Sequence, residues 1–103
     1  MKLMTPELEA KFPSLYSTEN KKPEDIKVIA KFFDPCGSWT WYATEYDKAD
    51  GLFFGLVKGM ETELGYFSLQ ELESYEGPLG LGIERDLYFG DNITLDQVMK
   101  TRI

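Results

Sequence analysis

The sequence predicts an α+β fold, a single domain spanning residues 1–103 in which an antiparallel β-meander of about four to five strands carries three short helices. Three observations predict it. Runs rich in β-branched and aromatic residues recur along the chain, each ended by a turn-forming cluster. The connections between them are about five residues long, which suits hairpins rather than crossovers. Helix-capping patterns flank these runs on both sides.

The elements follow in order. TPELEAKFP reads as the first helix: Thr5 can cap it, Pro6 suits its first position, Glu7 and Glu9 sit near the positive end of the dipole, and Pro13 ends it. STENKKPED (17–25) is a polar loop. Four strands are expected at IKVIAKFF (26–33), WTWYATEY (39–46), LFFGLVKG (52–59) and ELGYFS (63–68). SLQE is a capping box, with the Ser68 hydroxyl accepting from the Glu71 amide, and it starts a second helix that Gly77 and Pro78 stop. GPLGLGIERDLYFGDN (77–92) is glycine-rich, with a short strand at 84–89. Thr94 and Gln97 repeat the capping pattern, and Leu95, Val98, Met99 and Arg102 then follow helical spacing.

Alternation along a strand sends Trp39, Trp41 and Ala43 to one face and Thr40, Tyr42 and Thr44 to the other. In the third strand Leu52, Phe54 and Leu56 oppose Phe53, Gly55 and Val57, so both faces are apolar. Two arrangements satisfy this. Either the helices divide between the faces, or one face keeps aromatic side chains exposed as an interaction patch. Trp41 is expected to be at least half buried.

The charge is unevenly placed. The net charge is −7, and the window from Gly59 to Asn92 holds eight acids and one base, Arg85. That window carries the whole excess. A nucleic-acid binder needs the opposite sign, so direct nucleic-acid binding is not expected. A negative field attracts basic protein surfaces, although solvated helices and loops show the same composition. The candidate acidic partner-binding residues form one array, Glu71, Glu73 and Glu76 on the second helix with Glu61 and Glu63 before it.

Catalytic chemistry is sparse. The chain has no histidine and one cysteine, Cys36, which reads as a small turn residue in DPCGSW. GPLGLG is not a phosphate loop placed between strand and helix, and its glycines read as permitting tight turns. No metal or cofactor is expected. The lone cysteine fits a reducing compartment, no signal-like apolar run opens the chain, and no stretch approaches the roughly 20 apolar residues of a membrane helix. A cytoplasmic protein with no membrane association is expected. A second candidate set is aromatic and ionic: Trp39, Tyr42, Glu45, Glu84, Arg85 and Tyr88. Arg85 is read as ion-paired, with Glu45 and Glu84 as candidates, or as gripping an anionic ligand.

The joined segments KFFDPCGSWTWYATEYD, LFFGLV, ELGYFSLQELES, GPLGLGIERDLYF and TLDQV resemble domain-of-unknown-function family 2958, from about Lys2 to Met99. Such proteins look like cargo of plasmids, integrative elements and phages, and some look like modules of large anti-restriction polyproteins. The resemblance implies a role in mobile-element fitness, including suppression of host defence. It carries over no catalytic residue. Its recurrent WTWYATE and IERDLYF segments map onto Trp39 to Glu45 and Ile83 to Phe89.

The expected function is therefore a non-enzymatic protein-binding module of a mobile element. It would inhibit a host defence nuclease with a basic surface, of restriction or CRISPR type, through an acidic surface and an aromatic patch. Three alternatives stand beside it. One is a plasmid-transfer accessory that binds a protein. The second is a small-molecule sponge with a pocket lined by Tyr42, Arg85 and Tyr88. The third is an acid–base enzyme, which requires Glu45, Glu84 and Arg85 to converge on one pocket.

Overall fold

The computed structural model describes residues 2–100. Its scaffold is a five-stranded antiparallel sheet: β1 (Ala30–Phe33), β2 (Thr40–Asp47), β3 (Leu52–Lys58), β4 (Thr62–Ser68) and β5 (Glu84–Arg85), in the spatial order β4-β3-β2-β1-β5. The first four form the expected meander. Three short helices accompany it: α1 (Pro6–Glu9), α2 (Leu69–Ser74) and α3 (Leu95–Lys100). Each is N-capped as its sequence dictates, but α1 ends at Glu9 and α2 at Ser74, short of the stops expected at Pro13 and Gly77. The Thr5 hydroxyl accepts from the Leu8 amide at 3.1 Å, and the Ser68 hydroxyl from the Glu71 amide at 3.1 Å. At α3 the box is reciprocal: Gln97 N–H donates to the Thr94 hydroxyl, and Thr94 N–H to the Gln97 side-chain oxygen. Arg102 lies outside the described residues. None of the described helices is long and apolar enough to cross a membrane.

Two expected strands are shortened, each for a visible reason. Residues 26–33 do not form one strand. Val28 N–H donates to the Ile93 carbonyl and Leu95 N–H to the Ile26 carbonyl, both at 2.8 Å, so Ile26–Val28 pair with the entry to α3 before the chain joins the sheet at Ala30. The strand expected at 84–89 stops after Arg85. There the Asp86 carboxylate accepts from the Tyr88 amide at 2.9 Å and turns the chain away.

The faces of the sheet are set by one irregularity. Ala43 pairs with Gly55 and Glu45 with Phe54, so Thr44 is an extra residue, a β-bulge in β2. Strict alternation would put Tyr46 with Tyr42. Instead Tyr46 pairs with Phe53, on the face of Ala43. That first face carries the larger core: Phe32, Ala43, Tyr46, Phe53 and Phe67, covered by Leu3, Met4 and Leu8 from the N-terminal segment and by Leu72 and Ile83. The second face holds a smaller cluster, in which Leu95 and Val98 of α3 cover Tyr42, Leu56, Ile26 and Val28. The helices thus divide between the faces, but coverage of the second is incomplete. Leu64 and Tyr66 on β4, with Tyr16 from the N-terminal loop, remain 46%, 51% and 61% exposed. Trp41 is partly buried against the first core.

Phe53 is the hub of the larger core. It is fully buried, and its ring lies 4.6 Å from Tyr46 and 5.3–5.5 Å from Phe12, Phe32 and Phe67. Phe53→Ala is expected to cost about 3–5 kcal/mol in urea unfolding, and Trp41→Ala less because its burial is partial. Equal losses for the two variants would contradict this placement of the core.

Candidate functional site

An aromatic concavity on the first face lies where the β1–β2 hairpin meets α2. The hairpin turn is built by Asp34. One carboxylate oxygen accepts from the Cys36 amide at 3.0 Å, and the Asp34 amide donates to the Trp39 carbonyl at 3.1 Å. The other carboxylate oxygen accepts from the Tyr75 hydroxyl at 3.3 Å, which ties the turn to the segment just beyond α2. The Asp34 charge also pushes the Tyr75 phenol above its ordinary ionisation range. Cys36 is an exposed turn residue whose thiol donates to the Pro78 carbonyl at 3.7 Å.

Trp39 lies over Gly59, where a Cβ would come within 2.5 Å of the indole, so only glycine allows this approach. Its ring is tilted 33° against Trp41 at 5.9 Å. Trp39, Trp41, Phe67, Leu72, Tyr75 and Ile83 enclose a cleft of about 340 Å³, with Asp34, Ser68 and Glu71 at its polar margin. No lysine or arginine among the described residues lines it. An aromatic wall beside carboxylates suits a cationic side chain on an apolar stem, since the stem packs on the rings while the cation meets π-faces and carboxylates.

The predicted acids divide around this cleft. Glu71 lines it. Glu63 sits in the cross-strand row Trp41–Val57–Glu63, on the same face of the sheet, and Glu61 follows Gly59 in the adjoining hairpin. Glu73 and Glu76 do not join Glu71 in a helical array, as the sequence had suggested. The Glu73 carboxylate accepts from the Leu3 amide at 3.1 Å and anchors the N-terminal segment. Glu76 lies beyond the helix, because Tyr75 is already extended.

The aromatic and ionic set disperses. Trp39 belongs to the cleft just described. Tyr42 is buried in the second core, with the Lys31 and Lys58 ammonium groups 5.8 and 5.5 Å from its ring centroid and Phe89 at 6.2 Å. Burial, reinforced by Asp86, raises its phenol pKa. Glu84, Arg85 and Tyr88 share a shallow depression of about 320 Å³ at the β5 edge with Lys31 and Asp86, and Tyr88 is 95% exposed. Tyr42 does not line that depression, which corrects the ligand pocket expected from Tyr42, Arg85 and Tyr88. Nor does Glu45, so the convergence of Glu45, Glu84 and Arg85 that acid–base chemistry required is not present. Among the described residues no group of three or more His, Cys, Asp or Glu side chains could hold a metal ion.

Glu45 has a different role. It is 3% exposed and follows the bulge, and its carboxylate accepts from the Tyr16 amide at 2.9 Å, the Thr18 amide at 3.0 Å and the Thr18 hydroxyl. Three donors satisfy a charge that burial would otherwise penalise. They also hold Tyr16 at φ +68°, a left-handed conformation that costs a tyrosine free energy. The Tyr16 ring then meets Tyr66 edge-on at 6.4 Å. The site residues missed at the sequence level include Trp41, which was read only as a buried residue, and Asp34 and Tyr75. Asp34 carries a signal, as the aspartate opening a DPCG turn; Tyr75 carries none, because its place depends on where α2 ends.

Glu45→Gln keeps one accepting oxygen but turns an NH2 group towards at least one of the three donors, and is expected to cost about 1–3 kcal/mol in thermal unfolding while accelerating hydrogen exchange at Tyr16 or Thr18. Unchanged exchange at both amides would contradict the anchoring role.

No curated protein and no solved structure matches the chain. One family model does, over residues 3–102, and its description is "Protein of unknown function (DUF2958)". With nearly its whole length matched, the chain belongs to that family.

Proposed function

We propose that the protein is a non-enzymatic protein-binding module, carried by mobile elements, that inhibits a host defence nuclease of restriction or CRISPR type in the cytoplasm. The observation that supports this reading most is the cleft in which Trp39, Trp41 and Tyr75 meet Asp34 and Glu71, with Glu63 on β4 and Glu61 in the hairpin before it. Its chemistry is complementary to the lysine and arginine side chains with which nucleases hold nucleic acid. Aromatic residues in a partly preformed cleft supply the desolvated anchor of an interface. The net charge of −7 steers a basic partner towards it. The mobile-element setting rests on the family resemblance. A binding role in plasmid transfer would use the same cleft with a different basic partner. The sponge reading draws on Lys31 joining Arg85 and Tyr88, but Asp86 sits 3.8 Å from the Lys31 ammonium and opposes anion binding there.

The test is survival of incoming plasmid or phage DNA in a host with active defence, with and without the gene. Protection is expected, and it should fall at least tenfold in Trp39→Ala and in Glu71→Lys, each checked for native circular dichroism. Binding to the isolated nuclease should weaken as salt rises. Absence of protection against every defence system of the host would remove the inhibitor reading. Full protection by both variants would remove the cleft from it.

A further inference from the structure

The outer edge of β4 is the long open edge of the sheet. At the other edge, β5 is two residues long, whereas β4 runs seven residues, Thr62–Ser68, in unbroken register with β3. Among the described residues no backbone hydrogen bond runs outward from β4. It holds no lysine, no proline and no bulge, and Glu63 is its one charged side chain. Two of its second-face side chains are large, apolar and exposed, Leu64 in the row of Tyr42 and Leu56, and Tyr66 in the row of Glu45 and Phe54.

We propose that this edge pairs with the β4 edge of a second copy of the chain, antiparallel about a two-fold axis at Gly65, to make a continuous ten-stranded sheet from two copies of five strands. The strand is self-complementary in that register. Leu64 comes opposite Tyr66 of the second copy, and Tyr66 opposite its Leu64, so the exposed apolar side chains of both copies meet on one face. Thr62 comes opposite Ser68, two small hydroxyl side chains. Glu63 comes opposite Phe67, not opposite another acid. The two Glu63 residues are then four positions apart along the ladder, about 14 Å, which exceeds the screening length of about 8 Å at physiological ionic strength. Gly65 meets itself on the axis, and the space beside it is open: a Cβ built there touches nothing within 4 Å. The loop residue Tyr16, held over Tyr66 by Glu45, widens the apolar surface that the pairing covers. Pairing also brings Glu63 of the second copy beside Phe67 in the floor of the aromatic cleft, adding a carboxylate from outside the chain to that site.

Sedimentation and directed cross-linking of the full chain test this. The wild type should sediment at twice 11.9 kDa across the micromolar range. A Leu64→Lys, Tyr66→Lys variant should sediment as a monomer with unchanged far-ultraviolet circular dichroism. In a Cys36→Ser background, Gly65→Cys should oxidise to a disulfide-linked dimer that reductant reverses, because opposed residues of an antiparallel pair have Cα atoms about 4.5–5.5 Å apart, within disulfide range. Glu61→Cys, which the register places away from its own copy, should not. A wild type that stays monomeric, a dimer that survives both lysines, or equal cross-linking at 61 and 65 would each overturn the pairing.

Discussion

The extra residue in β2 is the constraint on which the rest of the structure depends. With Thr44 bulged, Ala43 and Tyr46 face the same way although three positions separate them. Tyr46 can then stack with Phe53 at 4.6 Å and close the larger core, while Glu45 turns to the opposite side. The partner strand is adapted to this. Gly55 lies opposite Ala43, and a Cβ there would come within 1.9 Å of the Tyr42 carbonyl. A side chain at 55 would force β2 and β3 apart beside the bulge, so the bulge and the glycine form one unit.

Two unequal faces follow from it. The first is sealed by the N-terminal segment and α2, except at the hairpin end, where Trp39 and Trp41 wall the acid-rimmed cleft. The second is sealed by α3 over only part of its width, which leaves the β4 side apolar and open. Glu45 contributes to that openness, since its buried carboxylate fixes the 16–18 loop with Tyr16 turned outward. The aromatics of WTWYATEY therefore serve two ends. Tyr42 and Tyr46 belong to the cores, one on each side of the sheet, and the tryptophans border the cleft.

Much of the fold was legible in the sequence because it follows from local rules. The caps at Thr5, Ser68 and Thr94, the meander, and the shared face of Trp41 and Ala43 depend on residue type and period alone. Two of the departures depend on distant partners, and one on a local turn at Asp86. Ile26–Val28 read as a strand by composition, yet their hydrogen bonds go to residues near 93–95. IERDLYF read as a strand until Asp86 bent its own backbone. Nothing in ATEY announces a bulge except Gly55, twelve residues after Ala43 and informative only once the register is known. The site was half legible. Trp39 and Glu71 were singled out by type, but Glu73 and Glu76 were grouped with Glu71 by spacing along a helix that ends one residue after Glu73.

The proposed role of the cleft is to receive a cationic side chain of a protein partner. The chain has two tryptophans, and both border it, so their indole N–H signals report on it directly. The decisive measurement is a two-dimensional ¹H–¹⁵N spectrum titrated with an arginine-bearing peptide and with its citrulline counterpart, which keeps the shape and removes the charge. Both indole signals should move saturably with the arginine peptide and stay in place with citrulline. Indole signals that stay fixed while amides elsewhere move, or that respond equally to both peptides, would contradict the account.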